Sequence, residues 1–154
     1  MTELITAGEG DAIEFKSTLR TNLHTRQHDD KIQLAVLRTI AGFLNAKGGT
    51  LLIGVSDSGE GLGLEADGFA NEDKMGLHLV NLMKDRVGEV FMPYVHYHFE
   101  DEEGGRVLAI RCDKGPKAAF VKDGSMQRFY VRGGASTQEL QGSSIPEYCK
   151  QRFG

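Results

Sequence analysis

Apolar residues fall into two rhythms along the first part of the chain. Within "AIEFKS" (12–17) they alternate: Ile13 and Phe15 point one way, Glu14 and Lys16 the other, which is the period of a strand with one wet face. From about Lys31 to Asn45 the spacing becomes three and four. Leu34, Leu37, Ile40, Ala41 and Leu44 then share one side of a predicted helix. Asp29 or Asp30 can cap its start, and the glycines of "AKGG" suit a left-handed close. "TLLIGVSD" is a continuous apolar run ended by an acid, as in a central strand covered on both faces. A second helix is expected over about 72–87, opened by Asn71 or Asp73 and striped by Met75, Leu79, Val80, Met83 and Val87. Four short strand-like runs follow: "YVHYHFE", "RVLAIRCD", "AAFVKD" and "QRFYVR". Loops at 101–105 and at "KDGS" join them into hairpins. A last helix opens at Ser144, where Glu147 completes a capping-box pattern. The order β-α-β-α-β-β-β-β-α predicts an α+β domain, a mixed sheet with helices packed on it. Residues 1–10 read as a loose lead-in or linker, 11–154 as one domain, and 18–30 as a polar loop.

Composition changes this picture little. The chain has 154 residues, a size that supports one domain with its own core. No apolar run approaches the roughly 20 residues of a membrane helix, and the start lacks the pattern of a secretory signal. Cys112 and Cys149 match no metal or redox spacing, so a reducing, cytoplasmic setting is the expectation. Charge is more informative. The formal net charge is -4, yet residues 1–103 carry a balance of -9 and residues 104–154 one of +5. An acidic front and a basic back suit a metal site beside a phosphate-binding surface, and equally a mixed, solvated surface.

The acids are the first candidates for chemistry. Glu14 and Lys16 share a strand face, Glu9 comes from the turn upstream, and Asp57 ends the buried strand "LLIGV". Converging carboxylates of this kind hold Mg²⁺ or Mn²⁺, which prefer hard oxygen ligands and can activate water beside a phosphodiester. Lys16 would meet the phosphate as a point charge. The same residues also read as the wet side of an edge strand and a turn former. "FYVRGGAST" (129–137), with Arg128 just before it, offers a second set. Arg128, Arg132, Ser136 and Thr137 suit a phosphate backbone, and Tyr130 could stack on a base. "NAKGGT" follows a helix rather than opening one, so it is no phosphate loop, and "GEGLG" opens no helix either. The histidines form no zinc spacing; His96 and His98 share a strand face.

In this order "EGDAIEFKS", "IAGFLNAKGGTLLIGVSDSGEGLGL" and "FYVRGGASTQEL" resemble the AlbA-like domain of the Schlafen group, in bacteria often called a DNA-binding domain. The likeness spans roughly residues 7–152. It implies a nucleic-acid (DNA or RNA) partner. Nucleolytic vertebrate members use two glutamates five residues apart and an aspartate after the central strand, with a divalent ion. Glu9, Glu14 and Asp57 would take those places, beside Lys16, while Ser56 stands where many relatives have an acid. The family's zinc cluster has no counterpart here. The resemblance also implies a two-lobed assembly, which a homodimer of this single lobe would rebuild, and fusion to other domains in a longer chain. The alternative is a non-catalytic regulatory or nucleotide-binding (ATP-binding) module.

Overall fold

The computed structural model describes residues 2–154. Its elements are α1 (Thr2–Ala7), β1 (Ile13–Lys16), β2 (Thr21–Asn22), β3 (Gln27–His28), α2 (Asp30–Asn45), β4 (Gly49–Ile53), α3 (Glu72–Arg86), β5 (Val95–Glu102), β6 (Gly105–Cys112), β7 (Phe120–Asp123), β8 (Met126–Gly133), β9 (Ser136–Leu140) and α4 (Ser144–Phe153). Short 3₁₀ turns, Glu65–Asp67 and Glu89–Tyr94, flank α3. The expected α+β architecture is present. A four-stranded mixed sheet runs β1-β4-β6-β5, with β1 parallel to β4 and the other pairs antiparallel. A separate antiparallel sheet runs β7-β8-β9.

β4 lies inside its sheet and is apolar on both faces, as its unbroken run requires. Leu51 and Ile53 enter the main core with Leu37, Ile40, Leu44, Leu79 and Leu108. Leu52 faces the opposite side with Ile13, Phe15, Val107 and Ala109. Ile5 of α1 packs on that second cluster. The lead-in therefore contains a short helix seated on the domain; six residues are too few to show a period in the sequence.

α2 is the central helix. From Val36 to Asn45 every residue except Arg38 is buried, because the helix lies between the two sheets. Asp29 caps its start by accepting from the Lys31 amide at 2.9 Å. At its end the Gly48 amide reaches back to the Phe43 carbonyl with φ near +81°, and a Cβ there would meet the Cys112 carbonyl at 2.7 Å. Asn45 is fully buried. Its side-chain amide donates to Ala119 O and Tyr130 O and accepts from the Ala119 N–H, tying the helix to the second sheet.

Three departures from the sequence reading have local causes. The polar stretch 18–30 folds back as the β2–β3 hairpin, with the Asn22 side chain accepting from the His24 and Thr25 amides. β9 returns from β8 through Gly134 and Ala135; its polar sequence, STQEL, carries no apolar alternation to reveal it. The capping box at α4 does not form: Ser143 stands at the N-cap and no side chain bonds the first amides.

Candidate functional site

β1 is an edge strand, and its outer side carries the candidate residues. Glu14 is partly buried. Its Oε1 accepts from Nη1 of Arg132 at 2.5 Å. The Arg132 side chain is 1% exposed and that of Glu14 14%. The other guanidinium nitrogen of Arg132 donates to Gly10 O at 2.6 Å and Ile13 O at 3.1 Å. One arginine from β8 thus pairs the loose carbonyls of the β1 edge and neutralises its carboxylate.

Glu9 stands beside Glu14, and its Oε2 accepts from the Phe15 amide at 3.0 Å. Burial, then a hydrogen bond with Glu14, push the Glu9 carboxyl up to about 7 against the pull of the Phe15 amide; the charges of Glu14 and Asp57 add to the rise. Burial alone would raise Glu14 too. The hydrogen bond with Glu9, the Arg132 guanidinium and the Lys16 charge outweigh it and hold Glu14 below the usual carboxylate range. When Glu9 holds its proton, the pair carries one negative charge, on Glu14 and facing Arg132.

Glu14 and Lys16 line a hollow of about 230 Å³ with Ala35, Arg38 and Thr39 of α2 and the segment Ala135–Thr137. An adjoining hollow of about 300 Å³ shares Lys16 and Ala35 and extends past Ser17, Asn22 and His24 to Asp57. Together they form a groove along the β1 edge. Arg38 is held over the Tyr130 ring at 5.1 Å and donates to Thr137 O at 3.4 Å, while its Nε is buried without a hydrogen-bond partner. Lys16 has no carboxylate partner within ion-pair distance among the described residues. With Glu14 cancelled by Arg132, the groove keeps two positive side chains, the hydroxyls of Ser136 and Thr137, and one carboxylate at its far end.

The structure brings together Glu9, Glu14, Lys16, Ser136 and Thr137, with Asp57 further along. It corrects three expectations. Tyr130 is buried under Arg38, so it offers no face to a base. Arg132 is spent on Glu14 and backbone carbonyls, so it cannot reach a phosphate directly. Arg128 pairs with Asp123 at 2.8 Å and Glu139 at 3.1 Å, away from the groove. Arg128 takes its carboxylates from β7 and β9 on either side of its strand, and Arg132 takes one from β1 of the other sheet, a pairing the linear sequence hides. Among the described residues no group of three His, Cys, Asp or Glu side chains comes together so as to hold a metal ion. The donor set therefore does not fit a Mg²⁺ or Mn²⁺ site as folded: Glu14 is committed to Arg132 and Asp57 lies exposed in the second hollow. His96 and His98 pair with Asp113 and Glu100 on the exposed face of β5. Arg38 was missed by sequence reasoning; its signal was a lone cation inside the apolar run "LAVLRTIAGF".

Fold and groove define an α+β domain with a cation-bearing edge. Its matches with known proteins agree with the fold. The chain belongs to the family described as Schlafen, AlbA_2, which matches residues 9–141. It also resembles the DIP2311 protein of Corynebacterium diphtheriae, at TM-score 0.64 and 22% identity, over 94% of this chain and 28% of that one. A second likeness, at TM-score 0.57 and 20% identity, is to the N-terminal domain of a protein from Nitrosomonas europaea related to the ATP-dependent DNA helicase RecG; it covers 92% of this chain and 94% of that domain. The chain thus spans just over a quarter of DIP2311, where the fold is part of a longer protein. Among the described residues no helix is long and apolar enough to cross a membrane.

Proposed function

We propose that this domain binds nucleic acid along the β1 edge. The observation that carries the reading is the convergence of Lys16, Arg38 and the Ser136 and Thr137 hydroxyls in one hollow, with the Glu14 charge already cancelled by buried Arg132. Phosphate oxygens are held by such sets of cations, hydroxyls and backbone amides, which position a strand without reading its bases. The family supports a nucleic-acid setting, and the likeness to a RecG-related domain agrees with it. Fluorescence anisotropy with labelled single- and double-stranded DNA and RNA tests the reading. Lys16→Ala should weaken binding and lower the salt slope by about 0.7 on a single strand or about 0.9 on a duplex. Equal affinity and slope in Lys16→Ala would remove Lys16 from the interface.

A second reading, metal-assisted phosphodiester cleavage, would need Glu14 to leave Arg132, because the set as folded does not fit the ion. One observation favours it: Glu9 and Glu14 hold carboxyls in hydrogen-bond contact, five residues apart as the resemblance implies for nucleolytic members. Incubation of the same substrates with Mn²⁺ or EDTA decides it. Cleavage that needs Mn²⁺ and is lost in Asp57→Asn establishes cutting; intact substrate in both leaves binding alone.

A further inference from the structure

A further hollow, with largely apolar walls, lies on the other side of the β8–β9 turn. It has a volume of about 340 Å³ and draws its cations from three places in the chain: Lys47 after α2, Lys114 after β6 and Arg152 of α4. Gly133 and Gly134 form its rim on the same turn whose next residues, Ala135–Thr137, line the first hollow. The turn is therefore a low ridge between the two. We infer that this hollow is a second phosphate subsite for the strand bound along β1, an inference that rests on the nucleic-acid reading above.

The electrostatics favour an anion. Lys47 and Lys114 are exposed, and among the described residues neither has a carboxylate within ion-pair distance. Arg152 is fixed in place: its Nε donates to Ala46 O at 2.9 Å, and one terminal nitrogen donates to Gly115 O at 2.9 Å and Leu44 O at 3.3 Å. These bonds go to carbonyls, two of them at the end of α2, and among the described residues no carboxylate lies within ion-pair distance to cancel its charge. Arg132 also lines the hollow, but Glu14 already neutralises it. Asp11 is the one carboxylate among the lining residues, against three unpaired cations. A free hollow with that balance attracts phosphate, and the low dielectric of its walls strengthens the attraction.

The geometry of the ridge favours continuity. Gly133 and Gly134 have open space where a Cβ would stand, and Gly134 takes φ near +61°, a conformation a side chain would strain. A chain passing over the turn meets bare backbone rather than side chains. The turn itself is exposed. Gly133 and Gly134 therefore put no side chain on the ridge that separates the Lys16–Arg38 hollow from Lys47 and Lys114.

Lys47→Ala/Lys114→Ala in the same chain tests this, with a 12-nucleotide single strand and a 3-nucleotide one as probes. Both lysines are exposed and unpaired, so the fold should be kept, as circular dichroism would confirm. The 12-mer's salt slope should fall by about 1.4, two contacts on a single strand, which corresponds to binding roughly 60-fold weaker at 50 mM salt. The 3-mer, too short to cross the ridge, should bind as to the unaltered chain. If the unaltered chain binds the 12-mer and the double variant binds it with the same slope, the second subsite is overturned while the groove stands. If the unaltered chain binds neither probe, the nucleic-acid reading and this inference fall together. If the variant loses the 3-mer as well, the two hollows are one site and the two-subsite assignment is overturned.

Discussion

Removing the Arg132 side chain tests how the groove is built. Arg132→Met keeps most of the volume and deletes the charge. Glu14, on a side chain 14% exposed, would then keep its negative charge without a partner, and Gly10 O and Ile13 O would lose their donor. Breaking a buried ion pair from one side costs about 3–5 kcal/mol. For a domain of this size each kcal/mol lowers Tm by about 2–4 °C, so a fall of roughly 6–20 °C is expected. Urea unfolding followed by circular dichroism gives the free energy, with the m-value as a check that compactness is unchanged. Adding Glu14→Gln should recover much of the loss, because the stranded charge disappears with its partner. The double-mutant cycle should therefore show a coupling energy of more than 1 kcal/mol. A loss below 1 kcal/mol in Arg132→Met, or an additive cycle, would refute the claim that this arginine is an internal counter-ion. Glu14→Gln alone should also destabilise, since it leaves the arginine unpaired in turn.

Two further outcomes follow from the same region. Asn45→Ala removes the group that bonds Ala119 N–H, Ala119 O and Tyr130 O inside the core; leaving those groups unpaired should cost about 3 kcal/mol, read by the same urea titration, and a loss under 1 kcal/mol would show that the groups find other partners. Glu9 is held at about 7 in the fold against 4.5 for the unperturbed group. Below pH 4.5 both folded and unfolded chains hold the proton; between 4.5 and 7 only the folded chain does, so this group's contribution to stability falls as pH rises and levels off above 7. Glu14, held below its ordinary range in the fold, acts in the opposite sense mainly at and below the lower edge of that window and does not offset it at higher pH. Thermal melts of Glu9→Gln and the unaltered chain should separate in favour of the variant between pH 4.5 and 7; a constant difference from pH 4.5 to 8 would refute the proton held on Glu9.

The long elements were legible because their burial is one-dimensional. α2 shows its apolar face at helical spacing, and β4 shows an unbroken apolar run because both of its faces are covered. The proximity of Glu9, Glu14 and Lys16 was legible for the same reason: they are close in sequence and strand alternation places them. What failed was pairing at long range. Arg132 reads as a solvent-facing cation beside two glycines, and nothing local reveals that Glu14, 118 residues away, waits for it. Asp67 is a similar case. It is buried and accepts from the Leu19 and Arg20 amides, fixing the segment after β1, yet it reads as one more acid in a loop. Short elements failed for another reason: α1, β2, β3 and β9 are held by contacts made elsewhere, so their own residues carry little pattern.

The last helix has a consequence for where this unit can be cut. The segment shared with the family runs to residue 141, three residues short of α4. Yet α4 closes the end of α2: Tyr148 donates its hydroxyl to Asn45 O at 2.6 Å, and Arg152 takes the carbonyls of Leu44 and Ala46. A helix end carries carbonyls that its own backbone cannot pair, and these sit beside the buried Asn45. A boundary drawn at the edge of family similarity would strip that closure and leave the central helix open at its innermost end. Any excised or grafted version of the domain needs the chain through at least Arg152 to keep that closure.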